Sequence, residues 1–464
     1  MSTPEEEAPD AGERPQRRVP IPRLAPRIGP VARLRDRIEN REFLRLRSRF
    51  RRRTGVLAFL AVMGPGLIAG VAGNDAGGIA TYSVIGAETG LGLLWLFPIT
   101  IVILALVQEM AARLGVVTGQ GLSDLIRDWY GVRWTLFAMS ILLVANLANT
   151  VAEFAGASAA LEIFDVPRFV TVPVVAVAIW TLVLFASYRT VERVFLSVAL
   201  VFLTYIASAV LADPDWGDVG RALVTPNLDV GAGTLLLMVA FVGTTITPYM
   251  QFYLQSAVAE KGIGEEELRL EQADAIGGAI WTNTVAIFIV VATAATLFAA
   301  GLTIESAEDA ARALGPVAGD LSTTLFAVGL FGASVLAATI MPISTAFVIC
   351  EAFGWESGVG KRFRDAPAFF ILYTFVLFAG ALVVMVPGID LIGIILASQN
   401  LQGLLLPFVL VFMFLLVNNR RLLGRHVNGW KRNLLTGLSI ALVIVLDLTL
   451  LGASLLEAVG IRGF

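Results

Sequence analysis

Asp75 is the residue whose type and setting most demand a chemical explanation. It lies in GPGLIAGVAGNDAGGIATYSVIGAETG (64–90), an otherwise apolar stretch saturated with glycine. A carboxylate at bilayer depth is costly and by default marks an ion or substrate pathway. Flanking glycines let a helix unwind and expose carbonyls to whatever the carboxylate holds. A second such place is LLLMVAFVGTTITPYMQFYLQSAVAEKG (235–262), where Thr244, Thr245 and Thr247 crowd before Pro248. Proline removes a backbone donor and clashes with the preceding turn, so the helix there is either kinked or opened. Half-helices at 55–72 and 231–246 would aim their negative C-terminal ends into the gap. Their carbonyls, the threonine hydroxyls and Asp75 together describe a cation site. With one cysteine, Cys350, and one histidine, His426, the chain has no intrachain disulfide. A cysteine cluster, an intramembrane histidine metal site and Ser/His/Asp catalysis are excluded too.

The elements that must position these groups are transmembrane helices. Hydrophobic residues make up 57% of 464 positions and charged residues 15%, against about 25% charged in soluble domains. At roughly 20 apolar residues per span the chain reads as an all-α polytopic membrane protein with eleven transmembrane helices. Its parts are a cytoplasmic Arg/Pro-rich tail (1–54), spans one to five (55–212), spans six to ten (231–417) and an additional span (434–457). Two five-span blocks make the second an inverted copy of the first, the plan of transporters whose sites lie at broken helices 1 and 6. Fifteen arginines lie in 1–54, and fifteen more basic residues, Arg113 among them, fall in loops read as cytoplasmic. Four lie on the other side, and none falls inside a span. This predicts N-terminus in and C-terminus out. The tail lacks the apolar core of a signal peptide, and its basic run suits anionic lipid or simply sets the topology.

At these motifs the chain resembles the NRAMP family of divalent-metal transporters (natural resistance-associated macrophage proteins), over about 55–460. ARLGVVTGQGLSDLIR (111–126), VAEFAG (151–156) and SQNLQGLLLPF (398–408) carry the resemblance, which implies a LeuT-type 5+5 inverted repeat. It also implies a metal site of Asp75, the carbonyls of Gly78 and Thr244, the hydroxyl of Thr247, and Gln399. The departures are pointed. The family's DPGN is Asp75-Ala76-Gly77-Gly78 here, and its MPH is Thr247-Pro248-Tyr249, so an amide and a thioether ligand are replaced. A thioether favours soft transition metals, whereas oxygens favour hard ions such as magnesium, which keeps several waters. The family's third-span aspartate is Thr150, the sixth-span histidine is Tyr249, and the ninth span (368–386) has no arginine. MPISTAFVICEAFGW (341–355) is similar to the NRAMP-related magnesium transporters.

The expected function is therefore uptake of Mg²⁺, with Mn²⁺ as a second cargo, by alternating access without proton coupling. The setting is a bacterial inner membrane, and the protein is no enzyme and has no resident cofactor and no nucleic-acid partner. Membrane lipids surround what is expected to be a monomer. The alternatives are a proton-coupled Mn²⁺/Fe²⁺ symporter, an amino-acid permease of the same fold, and a passive cation channel. Several residues also have plain structural readings. Threonines commonly bond their own helix backbone, and Gln399 serves equally as an interhelical hydrogen bonder. Glu153 stands as ion attractor, proton-path remnant or structural bond, and Glu109 pairs with Arg113 at i+4. Asp447 has no partner identifiable in the sequence.

Overall fold

The computed structural model describes residues 70, 73–185, 203–227, 231–304, 307–311, 322–358 and 361–458. The regular structure among them is wholly helical. The helices are α1 (Ala76–Thr89), α2 (Leu96–Thr118), α3 (Leu122–Tyr130), α4 (Val132–Glu162), α5 (Arg168–Phe185), α6 (Leu203–Leu211) and α7 (Trp216–Val224). They continue as α8 (Ala232–Thr245), α9 (Pro248–Glu260), α10 (Leu268–Thr293), α11 (Ser322–Phe353), α12 (Pro367–Val384), α13 (Leu391–Val417) and α14 (Trp430–Ala458). Eight helical segments among the described residues are long and apolar enough to cross a membrane, with α8 and α9 forming one such segment. The tail 1–54, the half-helix expected at 55–72 apart from Gly70, and most of the fifth span lie outside the described residues.

Long apolar runs make these helices, because no water is available to replace their internal hydrogen bonds in lipid. Val174 and Val177 on α5, Ile371 and Phe375 on α12, and Leu438 and Leu448 on α14 point outward and exposed. Such a surface suits lipid. The inward faces meet through small residues, which allow close backbone approach. A Cβ at Gly243 on α8 would overlap the Gln399 carbonyl and the Gly403 backbone on α13. α4 lies centrally, packed along α11, α13 and α12.

One topological expectation needs correction. Arg113 was expected in a loop, but α2 continues to Thr118, so it is inside a helix and 2% exposed. Burial is tolerated because both terminal nitrogens of its guanidinium are engaged, Nε alone being without a partner. It pairs with Glu109 at 3.0 Å and donates to Asn428 Oδ1 at 2.6 Å and to the His426 carbonyl at 2.9 Å. The Glu109–Arg113 pair itself is present as expected. It joins α2 to the start of α14, where Arg432 also approaches Glu109 at 3.5 Å.

Candidate metal site

The chain breaks helical geometry at both predicted places. Residues 73–75 form a turn, and Asp75 takes an extended conformation (φ −72°, ψ −173°) as the N-cap of α1. An aspartate suits that position because its oxygen accepts from the first free N–H groups. Asp75 Oδ1 accepts from Gly78 N at 2.9 Å. At the second break α8 stops at Thr245, Ile246 departs from helical geometry (φ −124°, ψ 62°), and Thr247 is extended (φ −66°, ψ 138°). Pro248 then opens α9. A residue before proline is pushed from the helical region, and proline suits a first helical position, where no N–H partner is needed. The kink alternative is thereby set aside: this is an opened helix.

Asp75 is 3% exposed, and no basic side chain is among its described hydrogen-bond partners. Beside the Gly78 N–H, its Oδ2 accepts from Asn149 Nδ2 of α4 at 3.2 Å. Gly78 lies in the first turn of α1, so it turns its N–H toward the carboxylate, and its carbonyl points along the helix away from it. That differs from the carbonyl ligand expected there. Thr244 fits better. The donor four residues on would be Pro248, which has no N–H, so the Thr244 carbonyl is left open at the break. The Thr244 hydroxyl is buried without a hydrogen-bond partner, and a Cβ at Gly78 would lie 3.6 Å from it. The Thr247 hydroxyl is also buried and unpartnered. Gln399 crosses α1 so closely that a Cβ at Gly77 would overlap its amide. Its Nε2 donates to Asn149 Oδ1 at 2.8 Å, and its Oε1 is buried without a partner. Asp75, Gly78, Thr244 and Gln399 are thus gathered at one place, and Thr247 caps the adjoining break.

Glu153 reaches the same helix end. Its Oε2 accepts from Ala76 N at 3.2 Å, so two carboxylates meet the N-terminus of α1. Thr150, in contrast, bonds the Asn146 carbonyl of its own helix at 2.7 Å. Tyr249 is buried in the first turn of α9. Asp447 is 6% exposed on α14, with Oδ2 unpartnered. Asn149 and Met341 escaped the reading of the sequence. Asn146, Asn149 and Glu153 fall at i, i+3 and i+7, a polar stripe on one face of an apolar helix, and that spacing was the available signal. Among the described residues there is no group of three His, Cys, Asp or Glu that could hold a metal. A cation at Asp75 would therefore rely on amide, hydroxyl and backbone oxygens.

Residues 66–453 match the Nramp family, described as natural resistance-associated macrophage protein-like. The chain belongs to the Nramp family. Its members are transporters, so this protein is a membrane transporter and not an enzyme. Divalent metal cation transporter MntH of Yersinia pestis (strain Pestoides F) is 29% identical over 403 residues, covering 84% of this chain and 95% of that relative. MntH of Granulibacter bethesdensis is 26% identical over 448 residues, covering 93% and 96%. The manganese transporter of Eremococcus coleocola superposes with a TM-score of 0.67 at 19% identity, covering 88% of this chain and 89% of that one. MhsT, solved with L-phenylalanine, superposes at 0.54 with 16% identity, covering 84% and 97%. These likenesses establish the LeuT-type fold of this Nramp transporter.

Proposed function

We propose that this Nramp transporter carries a divalent metal cation into the cytoplasm by alternating access, with Asp75 as its charged ligand. The observation that carries the reading is a buried carboxylate with no basic partner among the described residues, set at a helix break beside unpartnered oxygens at 244, 247 and 399. A divalent ion supplies the missing positive charge. The membrane potential drives it inward by about 2.3 kcal/mol per charge per 100 mV. An inward-facing N-terminus and an inverted-repeat division into 55–212 and 231–417 are part of the same proposal.

Manganese is the cargo the comparisons support, since the relatives are named for divalent metal cations and the Eremococcus protein for manganese. The magnesium preference expected from positions 78 and 247 receives no support from them. A proton-coupled mechanism also fits the geometry. Glu153 shares the α1 terminus with Asp75, so one carboxylate can carry a proton while the other holds the metal. One observation favours the magnesium reading: the side chains at 244 and 247 are hydroxyls, which suit a hard ion.

Proteoliposomes with an internal metal fluorophore and a pH dye test this. Mn²⁺ should enter with acidification, and Asp75→Ala should slow entry by about 100-fold, the upper range for losing a group that tunes a metal site. Mg²⁺ entry without acidification, and no Mn²⁺ entry, would replace this reading with the uncoupled magnesium one.

A further inference from the structure

The second half of the opened helix is fastened at its far end. α9 starts at the break beside the metal site, and Tyr249, Met250, Gln251 and Phe252 in its first turns are all buried. Ser256 lies further along α9, about 13 Å from Thr247 along the axis. Its Oγ donates to Glu351 Oε2 of α11 at 3.0 Å. The same carboxylate oxygen accepts from Ser123 Oγ of α3 at 2.9 Å. Beside Ser256, Gln255 Nε2 donates to the Gln120 carbonyl, just before α3, at 3.1 Å. Glu351 therefore ties three helices at one point.

The surroundings hold that carboxylate in place. A Cβ at Gly121 would overlap it, so only a glycine lets the chain entering α3 pass so close. Arg127 Nη1 donates to the Glu351 and Ala352 carbonyls, each at 3.0 Å, which satisfies the last turn of α11. Its Nη2 pairs with Asp124 at 2.8 Å within α3. α3 thus grips the end of α11 through both backbone and side chain. Hydrogen bonds to an ionised group are roughly twice as strong as neutral ones. The metal site gives no reason for a carboxylate at 351.

α9 has one anchored end and one hinged end. Ile246 and Thr247 depart from helical geometry, and such element-terminal residues absorb the rotation when one element swings against another. Resting on the alternating-access reading above, we infer that Glu351 is a positioning residue for transport. Through Ser256 it latches α9 against α3 and α11, and release of that latch lets α9 swing on the break to open the path on the side proposed to be cytoplasmic.

Gln251→Cys in a Cys350→Ser background reports the swing, because a thiol in the buried turns of α9 reacts with a maleimide only when α9 leaves its packing. The full-length protein in detergent is labelled without metal. Glu351→Ala should speed labelling by about tenfold, the effect of losing a hydrogen bond to a charged group. Ser256→Ala should speed it too, and it keeps the test decisive if Glu351→Ala does not fold. Glu351→Gln retains an acceptor oxygen and should label at the wild-type rate. In proteoliposomes Glu351→Ala should raise the KM for Mn²⁺ by about tenfold, because the form open to the outside is depopulated by that factor. A lower melting temperature with unchanged labelling and KM would make Glu351 merely structural and overturn the proposal. Unchanged labelling in both variants, beside Mn²⁺ influx that depends on Asp75, refutes the latch alone. Faster labelling beside influx indifferent to Asp75→Ala refutes the site reading and leaves the latch standing.

Discussion

At the scale of single residues, the site is built from substitutions that look like losses. Position 78 has no side chain to offer and position 247 has a hydroxyl, so a reading by position alone leaves Asp75 short of an amide and a thioether. In the folded chain the Asn149 amide of another helix reaches Asp75 instead, and donates to Met341 as well. The glycines around the site are there for close approach. At Gly243 a methyl group would meet main chain of α13, which cannot rotate away as a side chain could. Gly243→Ala should therefore lower stability by about 1–3 kcal/mol through overpacking, visible as a reduced melting temperature of the purified transporter in detergent. An unchanged melting temperature would mean that α8 and α13 are less closely packed than described.

At the scale of elements, Pro248 keeps α8 and α9 apart. It removes the donor that would close the Thr244 carbonyl and holds Thr247 extended. In Pro248→Ala the new N–H can bond to Thr244, which favours a continuous helix. A shift of about 1 kcal/mol toward that form should slow Mn²⁺ influx by about fivefold while the protein still folds. Influx equal to wild type would show that the break is maintained by the surrounding helices instead. The first break differs in kind, since Asp75, the proposed ligand, itself caps α1. A cation arriving at Asp75 therefore acts directly on a helix end.

For the whole molecule, the distribution of basic residues predicts that α3 and the loop before α10 face the cytoplasm and that α7 faces outward. Cys350 is the only cysteine and is 0% exposed, so Cys350→Ser provides a clean background. Asp218→Cys on the exposed α7 should then react with an impermeant maleimide added to intact cells. Arg269→Cys should react only after permeabilisation. The reverse pattern would invert the proposed topology.

Membrane class, the helical plan and the two helix breaks were legible in the sequence because each depends on local chemistry. Hydropathy needs only a window of neighbours, Pro248 breaks its own helix, and Asp75 is conspicuous wherever the rest of the chain lies. Arg113 was assigned to a loop for a related reason: it reads as a boundary until its partners, Asn428 and His426, are brought to it from the far end of the chain. The Gly78 carbonyl was assigned to the site from its position, but the helix direction turns its N–H there instead. What holds Asp75 could not be read at all. Asn149 is 74 residues from Asp75, 192 from Met341 and 250 from Gln399. Their meeting depends on the register and crossing of α1, α4, α11 and α13, which are set by side-chain packing between helices and leave no trace in any one of them.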